Sequence, residues 1–161
     1  MKVVLFQPQI PQNTGNIART CAVTGSDLVL VRPLGFSTSS RHLKRAGLDY
    51  WEDVKVQEID DLMPFLESSK APFFFFSSKA ASCYTQAPFS LDSLLIFGSE
   101  TAGLPEVFWH RWPQRFYRIP MQSHSRCLNL SCSAAIVLYE AWRQMSFKET
   151  WDNCAQSGLL L

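Results

Sequence analysis

The chain has 161 residues, of which 47% are hydrophobic and 18% charged, and a formal net charge of +1. This length and balance are typical of one globular domain and exclude an intrinsically disordered chain. The near-neutral charge gives no general sign of nucleic-acid binding, so any RNA site must be a local patch. The amino-terminal apolar run covers only residues 3–6 and no run approaches a membrane span, so we expect a cytoplasmic protein.

Short apolar runs alternate with helical stretches along the chain. The predicted strands cover residues 3–6, 28–31, 54–59, 73–76, 94–97 and 116–119, and the predicted helices cover residues 13–24, 60–68, 105–109 and 129–145. Several runs are apolar at every position, as in parallel strands buried on both faces. The alternation predicts an open, mostly parallel α/β sheet with helices on both faces, in a single domain over residues 1–150.

The first predicted helix has Pro11 before it and Gly25 after it, which are the usual start and stop signals. Gln12, Asn16 and Arg19 share one face of this helix because they are spaced four and then three residues apart. A polar stripe that ends in arginine is suited to holding a phosphate, and a merely solvated face is the alternative.

Three apolar strands each end in a loop rich in Gly, Ser, Asn and Pro, over residues 7–16, 98–105 and 120–131. Because ligands bind at the carboxyl ends of the strands in open α/β sheets, these loops are expected to form one pocket. The sequence has no G-x-G-x-x-G turn, P-loop or G-x-S-x-G elbow, which disfavours a dinucleotide fold, a triphosphatase and an acyl hydrolase.

The cysteines and histidines form no metal-binding pattern. The five cysteines are Cys21, Cys83, Cys127, Cys132 and Cys154, and the three histidines are His42, His110 and His124. No CxxC pair is present, and an odd, scattered set of cysteines indicates reduced thiols. The histidines lack the spacing of metal ligands, so we expect no metal.

Six segments, in order along the chain, resemble a known family. They are IPQNTGNIAR at 10–19, RAGLDY at 45–50, FGSETAGLP at 97–105, RIPM at 118–121, SRCLNLS at 125–131 and YEAWRQ at 139–144. The chain is similar to the SPOUT class of RNA methyltransferases, in the branch that methylates the ribose 2′-hydroxyl. Within that branch it is most similar to small members that act on nucleotide 34 of tRNA.

The resemblance implies a C-terminal deep trefoil knot, a homodimer and S-adenosylmethionine as cofactor, without a metal. The implied cofactor-binding residues are Phe76, Gly98, Glu100, Gly103, Ile119, Cys127, Leu128 and Asn129. Cys127 stands where close relatives often have serine, and a thiol is a weaker hydrogen-bond donor. Asn129 and Ser131 could equally cap the last helix without touching a ligand.

Arg19 matches the arginine that the family places at the methyl-transfer step, and Asn16 lies in the same motif. Because a guanidinium remains protonated in proteins, we expect Arg19 to stabilise developing alkoxide charge and to contact the adjacent phosphate, with another group accepting the proton. The implied RNA-binding residues, for a tRNA anticodon stem-loop, are Arg41, Lys44, Arg45, Arg126 and Tyr139. For the cluster at 41–45, with Tyr50 and Trp51 nearby for base stacking, a solvated helix face is the alternative.

Three other functions remain open from the sequence. The first is methylation of ribosomal RNA. The sequence begins directly at its first predicted strand, and we take this as an argument against a ribosomal RNA enzyme. The second is a catalytically silent RNA-binding module of the same fold. The third is a hydrolase using Ser99 or Cys127, for which no oriented base is visible. Residues 151–161 match nothing in the family, and the sequence leaves open whether this tail is disordered or covers an apolar surface.

Overall fold

The computed structural model describes residues 1–37, 53–123 and 126–147 of the chain. Within these residues it contains seven strands and four α-helices. The strands are β1 (Lys2–Phe6), β2 (Asp27–Val31), β3 (Val56–Ile59), β4 (Phe73–Phe76), β5 (Ser82–Cys83), β6 (Leu94–Phe97) and β7 (Phe116–Arg118). The helices are α1 (Pro11–Thr24), α2 (Leu62–Ser68), α3 (Glu106–Arg111) and α4 (Leu130–Gln144). The predicted elements are therefore present, and the two-residue strand β5 is an addition.

The seven strands form one sheet in the order β3-β2-β1-β6-β4-β7-β5, with every pairing parallel. This confirms the prediction of a mostly parallel sheet. The chain moves outward in one direction from β1 to β3, and β6 takes the place beside β1 on the other side. The loops after the neighbouring strands β1 and β6 therefore lie side by side at the carboxyl edge, and the helices that follow them go to opposite faces of the sheet. This is where open α/β sheets form a ligand crevice.

The core consists of two apolar clusters, one on each face of the sheet. Alternate strand residues point to opposite faces, so that Val3 and Leu5 belong to one cluster and Val4 to the other. Helices α1 and α4 cover the first face, while α2 and α3 cover the second. Residues in β1, β2, β4 and β6 are almost all buried, which explains why these strands lack a polar side.

Helix α1 begins at Pro11 itself, two residues before its predicted start. Proline fits the first helical position because its missing N–H would have no partner within the helix. The helix ends as predicted at Gly25, whose φ of 64° closes the last turn in the left-handed conformation. Because α1 follows β1 directly, its first turn lies at the carboxyl edge of the sheet.

No helix in the three described stretches is long and apolar enough to cross a bilayer. The predicted tail at 151–161 lies outside the described residues, as do the predicted RNA-binding residues Arg41, Lys44 and Arg45.

Cys21 is fully buried on the core-facing side of α1, and this burial raises the pKa of its thiol to about 12. We expect iodoacetamide at pH 8 to alkylate the exposed Cys127 and Cys132 of the native protein but not Cys21, with peptide mass spectrometry as the readout. Unfolding in urea should make Cys21 reactive. Alkylation of native Cys21 at the rate of Cys132 would contradict the buried position.

The raised pKa of Cys21 also makes stability depend on pH. Since the folded-state pKa of this thiol exceeds the ordinary 9.0, the thiol stabilises the fold below pH 9 and loses that contribution toward pH 12.

Candidate functional site

A cavity of about 510 Å³ lies at the carboxyl edge of the sheet. It is lined by the loops that follow β1, β4, β6 and β7, so the three polar loops of the sequence do meet at one pocket. All eight predicted cofactor-binding residues line it, namely Phe76, Gly98, Glu100, Gly103, Ile119, Cys127, Leu128 and Asn129. The volume is within the usual range for small-molecule sites, roughly 300–1,000 Å³.

The loop after β6 is folded tightly back on itself. Ser99 and Gly103 exchange both backbone hydrogen bonds, at N···O distances of 3.1 and 3.0 Å. A Cβ atom at Gly98 would lie 2.6 Å from both the Gly103 oxygen and the Leu104 nitrogen. Glycine is therefore required at 98 because the loop backbone packs directly against it.

Glu100 is held by three hydrogen bonds from the protein itself. The backbone N–H groups of Gln9 and Ile10 donate to its carboxylate at 2.9 and 3.2 Å, and the Asn13 side-chain amide donates to Oε1 at 2.9 Å. These contacts attach the loop after β6 to the loop after β1. Glu100 lines the cavity as predicted, but its carboxylate is chiefly a connection between two loops.

Asn129 caps helix α4, which was the alternative to a ligand contact. Its side-chain oxygen accepts from the backbone N–H of Ser131 at 2.8 Å and from the Ser131 hydroxyl at 2.7 Å. The same side chain also donates from Nδ2 to Asn13 Oδ1 at 2.9 Å. Asn129 therefore both begins the helix and lines the cavity, so the capping role does not displace it from the site.

Cys127 is exposed on the segment before α4, where its sulfur donates to the Ser78 hydroxyl at 3.6 Å. Thiol hydrogen bonds are weak, so this contact adds little to the position of the segment. The contact nevertheless shows that the loop after β7 lies against the loop after β4.

The other predicted site residues that the structure describes do not line the cavity. Asn16, Arg19, Arg126 and Tyr139 are all exposed on the surface. Asn16 and Arg19 lie further along α1 than Asn13, which does line the cavity. From Asn13 to Arg19 is six residues, or about 9 Å along the helix axis at 1.5 Å per residue.

The exposed face of α4 carries Tyr139, whose ring lies 5.7 Å from that of Trp142 in an edge-to-face arrangement. One turn on, Arg143 binds Glu140 through two hydrogen bonds of 2.8 and 2.9 Å. The Arg143 hydrogen bonds hold the pKa of the Glu140 carboxyl below its usual value. Gln144 also donates to the Thr85 carbonyl at 3.1 Å, which fastens the end of α4 to the segment after β5.

Sequence reasoning missed Asn13 and the segment Ser77–Ser78–Lys79, all of which line the cavity. The segment at 77–79 could have been predicted from the sequence. It is a polar loop directly after the apolar strand β4, like the three polar loops that the sequence analysis selected. Lys79 and Glu100 are the charged side chains among the described residues that line the cavity. With the carboxylate engaged, the available charge at the cavity is the Lys79 ammonium.

The arrangement suits a ligand with an apolar ring and a polar tail. Phe76, Ile119 and Leu128 provide apolar surface, whereas Ser78, Lys79 and backbone groups of the loops provide polar contacts. Within the described stretches, no group of three or more His, Cys, Asp or Glu side chains is arranged to hold a metal ion.

The SpoU rRNA Methylase family model matches residues 1–139. A Yersinia pestis protein named tRNA (cytidine(34)-2′-O)-methyltransferase is 42% identical over 154 residues, covering 91% of this chain and 95% of its own length. The solved structure described as giving insights into 2-OH methylation of C/U34 on tRNA has a TM-score of 0.83 and 44% identity, covering 91% of this chain and 97% of that one.

A more distant likeness is to the AdoMet-bound rRNA methyltransferase of Sinorhizobium meliloti. Its TM-score is 0.78 at 25% identity, and the match covers 89% of this chain but only 56% of that one. The fold is thus shared with a longer enzyme, whereas the tRNA-directed relatives match over nearly their whole length.

Proposed function

The chain belongs to the SpoU rRNA methylase family, and on that premise we propose that it transfers a methyl group from S-adenosylmethionine to the ribose 2′-hydroxyl of nucleotide 34 in tRNA. The observation that carries the proposal is the cavity at the carboxyl edge, lined by all eight residues that the family pattern selects. The identity of 42–44% to proteins described by this tRNA activity, against 25% to the ribosomal RNA enzyme, favours tRNA as the substrate.

The residues of the cavity fit this cofactor. The apolar side chains of Phe76, Ile119 and Leu128 are suited to an adenine ring, and Ser78 and Lys79 to the polar amino-acid end. When bound, S-adenosylmethionine supplies a methyl group on a positively charged sulfur. Among the described residues that line the cavity, Glu100 carries the acidic side chain, and its carboxylate already accepts three hydrogen bonds. Under the proposal the protein therefore binds and aligns the cofactor here, and a group other than Glu100 accepts the 2′-hydroxyl proton.

Under this proposal, the work of the protein is to orient the ribose and to stabilise charge on its 2′-oxygen. Arg19 stabilises the developing alkoxide and clamps the neighbouring phosphate, and Asn16 helps to orient the nucleotide from the same helix face. Arg19 lies about 9 Å along α1 from Asn13, which lines the cofactor cavity. Under this proposal Arg19 therefore contacts the RNA and not the cofactor. Arg126 and Tyr139, which lie outside the cavity, bind RNA. Arg41, Lys44 and Arg45 are also proposed to bind RNA.

We extend the proposal to features that the family resemblance implies. The segment before α4 lines the same cavity as the loop after β6, and α4 packs against β6 and α1, an arrangement compatible with a trefoil knot. We further propose a single domain over residues 1–150, a homodimer, and a cytoplasmic location where tRNA is modified. Gel filtration with light scattering tests the dimer directly.

The decisive experiment incubates the protein with unmodified tRNA and methyl-labelled S-adenosylmethionine, then locates the label by nuclease digestion and mass spectrometry. We expect the label on the ribose of nucleotide 34. Label on another tRNA ribose would keep the reaction and correct the position. Label on ribosomal RNA alone would replace the substrate, and binding of the cofactor with no transfer to either RNA would favour a silent binding module.

A further inference from the structure

We propose that Asn13 is a positioning residue that joins three loops of the cavity into one hydrogen-bonded unit, on which cofactor affinity depends. The inference rests on the proposed function, since it takes the cavity to be the cofactor site. Asn13 is only 5% exposed, in the first turn of α1. Its amide donates to Glu100 in the loop after β6 and accepts from Asn129 in the segment after β7.

The hydrogen bonds that link Ser131, Asn129, Asn13 and Glu100 form a series, and the direction of each is fixed by the groups at the two ends of the series. The Ser131 backbone N–H can only donate, so it must face the Asn129 oxygen, and the Asn129 amide nitrogen must then face Asn13. Asn13 therefore presents its oxygen to Asn129. Its nitrogen is left to face the Glu100 carboxylate, which can only accept.

The two neighbours of Asn13 in this series, Glu100 and Asn129, consequently require an amide at position 13. A side chain there must donate on one side and accept on the other, at a position that is only 5% exposed. The two contacts span 87 and 116 residues of sequence, so they connect parts of the chain that share no local structure. Ile10, Asn13, Glu100 and Asn129 all line the cavity, which makes this unit part of its wall.

Aspartate at position 13 keeps the shape of asparagine but reverses the contact with Glu100. Its oxygen can still accept from Asn129, whereas two carboxylates would now face each other where a 2.9 Å hydrogen bond stood. Two carboxyl groups at such a distance share a proton at low pH and repel each other when both ionise. The effect of Asn13→Asp should therefore weaken as the pH falls, which a simple loss of packing would not produce.

The experiment measures binding of S-adenosylhomocysteine by calorimetry to the full-length protein at pH 8 and pH 6. Relative to wild type at the same pH, Asn13→Asp should bind about 30-fold more weakly at pH 8 and within about fivefold at pH 6. In the double variant with Glu100→Gln, a neutral amide replaces one of the two facing carboxylates, so the repulsion between positions 13 and 100 is removed. That variant should recover affinity at pH 8 beyond the product of the two single losses.

Gln114→Glu is the matched control, because it makes the same amide-to-carboxylate change at an exposed position away from the cavity. It should bind as wild type does at both pH values. Circular dichroism at each pH verifies that the variants are folded, and Asn13→Ala, which adds no charge, replaces Asn13→Asp if the latter does not fold; it should lose about tenfold.

Affinity of folded Asn13→Asp within twofold of wild type at pH 8 would overturn the positioning role, as would an equal loss at both pH values. The same holds for unchanged affinity in Asn13→Ala. Failure of the wild-type protein itself to bind S-adenosylhomocysteine is a different result, because it would remove the proposed function and with it the premise of this inference.

Discussion

Replacing Gly98 by alanine is expected to reduce S-adenosylhomocysteine affinity by about 100-fold, the equivalent of about 2.7 kcal/mol. The added methyl carbon would lie 2.6 Å from the Gly103 oxygen and the Leu104 nitrogen, and these backbone atoms cannot swing away as a flexible side chain could. The loop from Ser99 to Gly103 must shift, and it carries Glu100 with it. Forcing atoms into a packed site costs about 1–3 kcal/mol in stability, so the melting temperature should also fall by several degrees.

Gly25→Ala is the matched control for this variant. Gly25 has a φ of 64°, where alanine is strained, but apart from its two chain neighbours no residue has an atom within 4 Å of the added methyl carbon. This control should lose about 1 kcal/mol of stability without losing cofactor affinity. Calorimetry and thermal melting of both variants separate the two effects. Binding by Gly98→Ala within threefold of wild type would show that the loop after β6 does not shape the site.

The elements of the fold that could be read from the sequence are those with a local signal. The runs in β4 and β6 are apolar at every residue, and the structure gives them the predicted bounds because both faces of the sheet are covered. Strand β5 had no such signal. It consists of Ser82 and Cys83 alone, and it is a strand only because those residues pair with the distant strand β7.

The residues of the candidate site also divide into those that have a local signal in the sequence and those that do not. The glycines and polar loops after β6 and β7 could be selected in advance, because ligands collect at the carboxyl ends of parallel strands. The loop at 7–16, which contains Asn13, was also predicted to reach the pocket, but nothing in the sequence singles out Asn13 within it, since it stands among polar residues at the start of an amphipathic helix. Its contacts to Glu100 and Asn129 span 87 and 116 residues, and such distant contacts leave no trace in local pattern.

Arg19→Lys is expected to lower kcat/KM for tRNA methylation by about 100-fold or more, even though it keeps the positive charge. Lysine loses the planar fork that holds a phosphate and a developing alkoxide at the same time, and removing one such contact in a transition state costs about 10²–10³ in rate. Since Arg19 is exposed and does not line the cavity, S-adenosylhomocysteine affinity should remain within twofold of wild type. Steady-state methylation assays and calorimetry measure the two quantities.

Arg111→Lys is the control, because it makes the same substitution at an exposed arginine on α3 that forms a 2.9 Å ion pair with Glu67, outside the cavity. Its methylation rate should match that of wild type. Turnover by Arg19→Lys within threefold of wild type would show that charge alone suffices. A loss of cofactor affinity in Arg19→Lys would instead place Arg19 at the cofactor. If only the rate falls, Arg19 acts on the RNA in the transition state. That role agrees with its position on α1, outside the cofactor cavity.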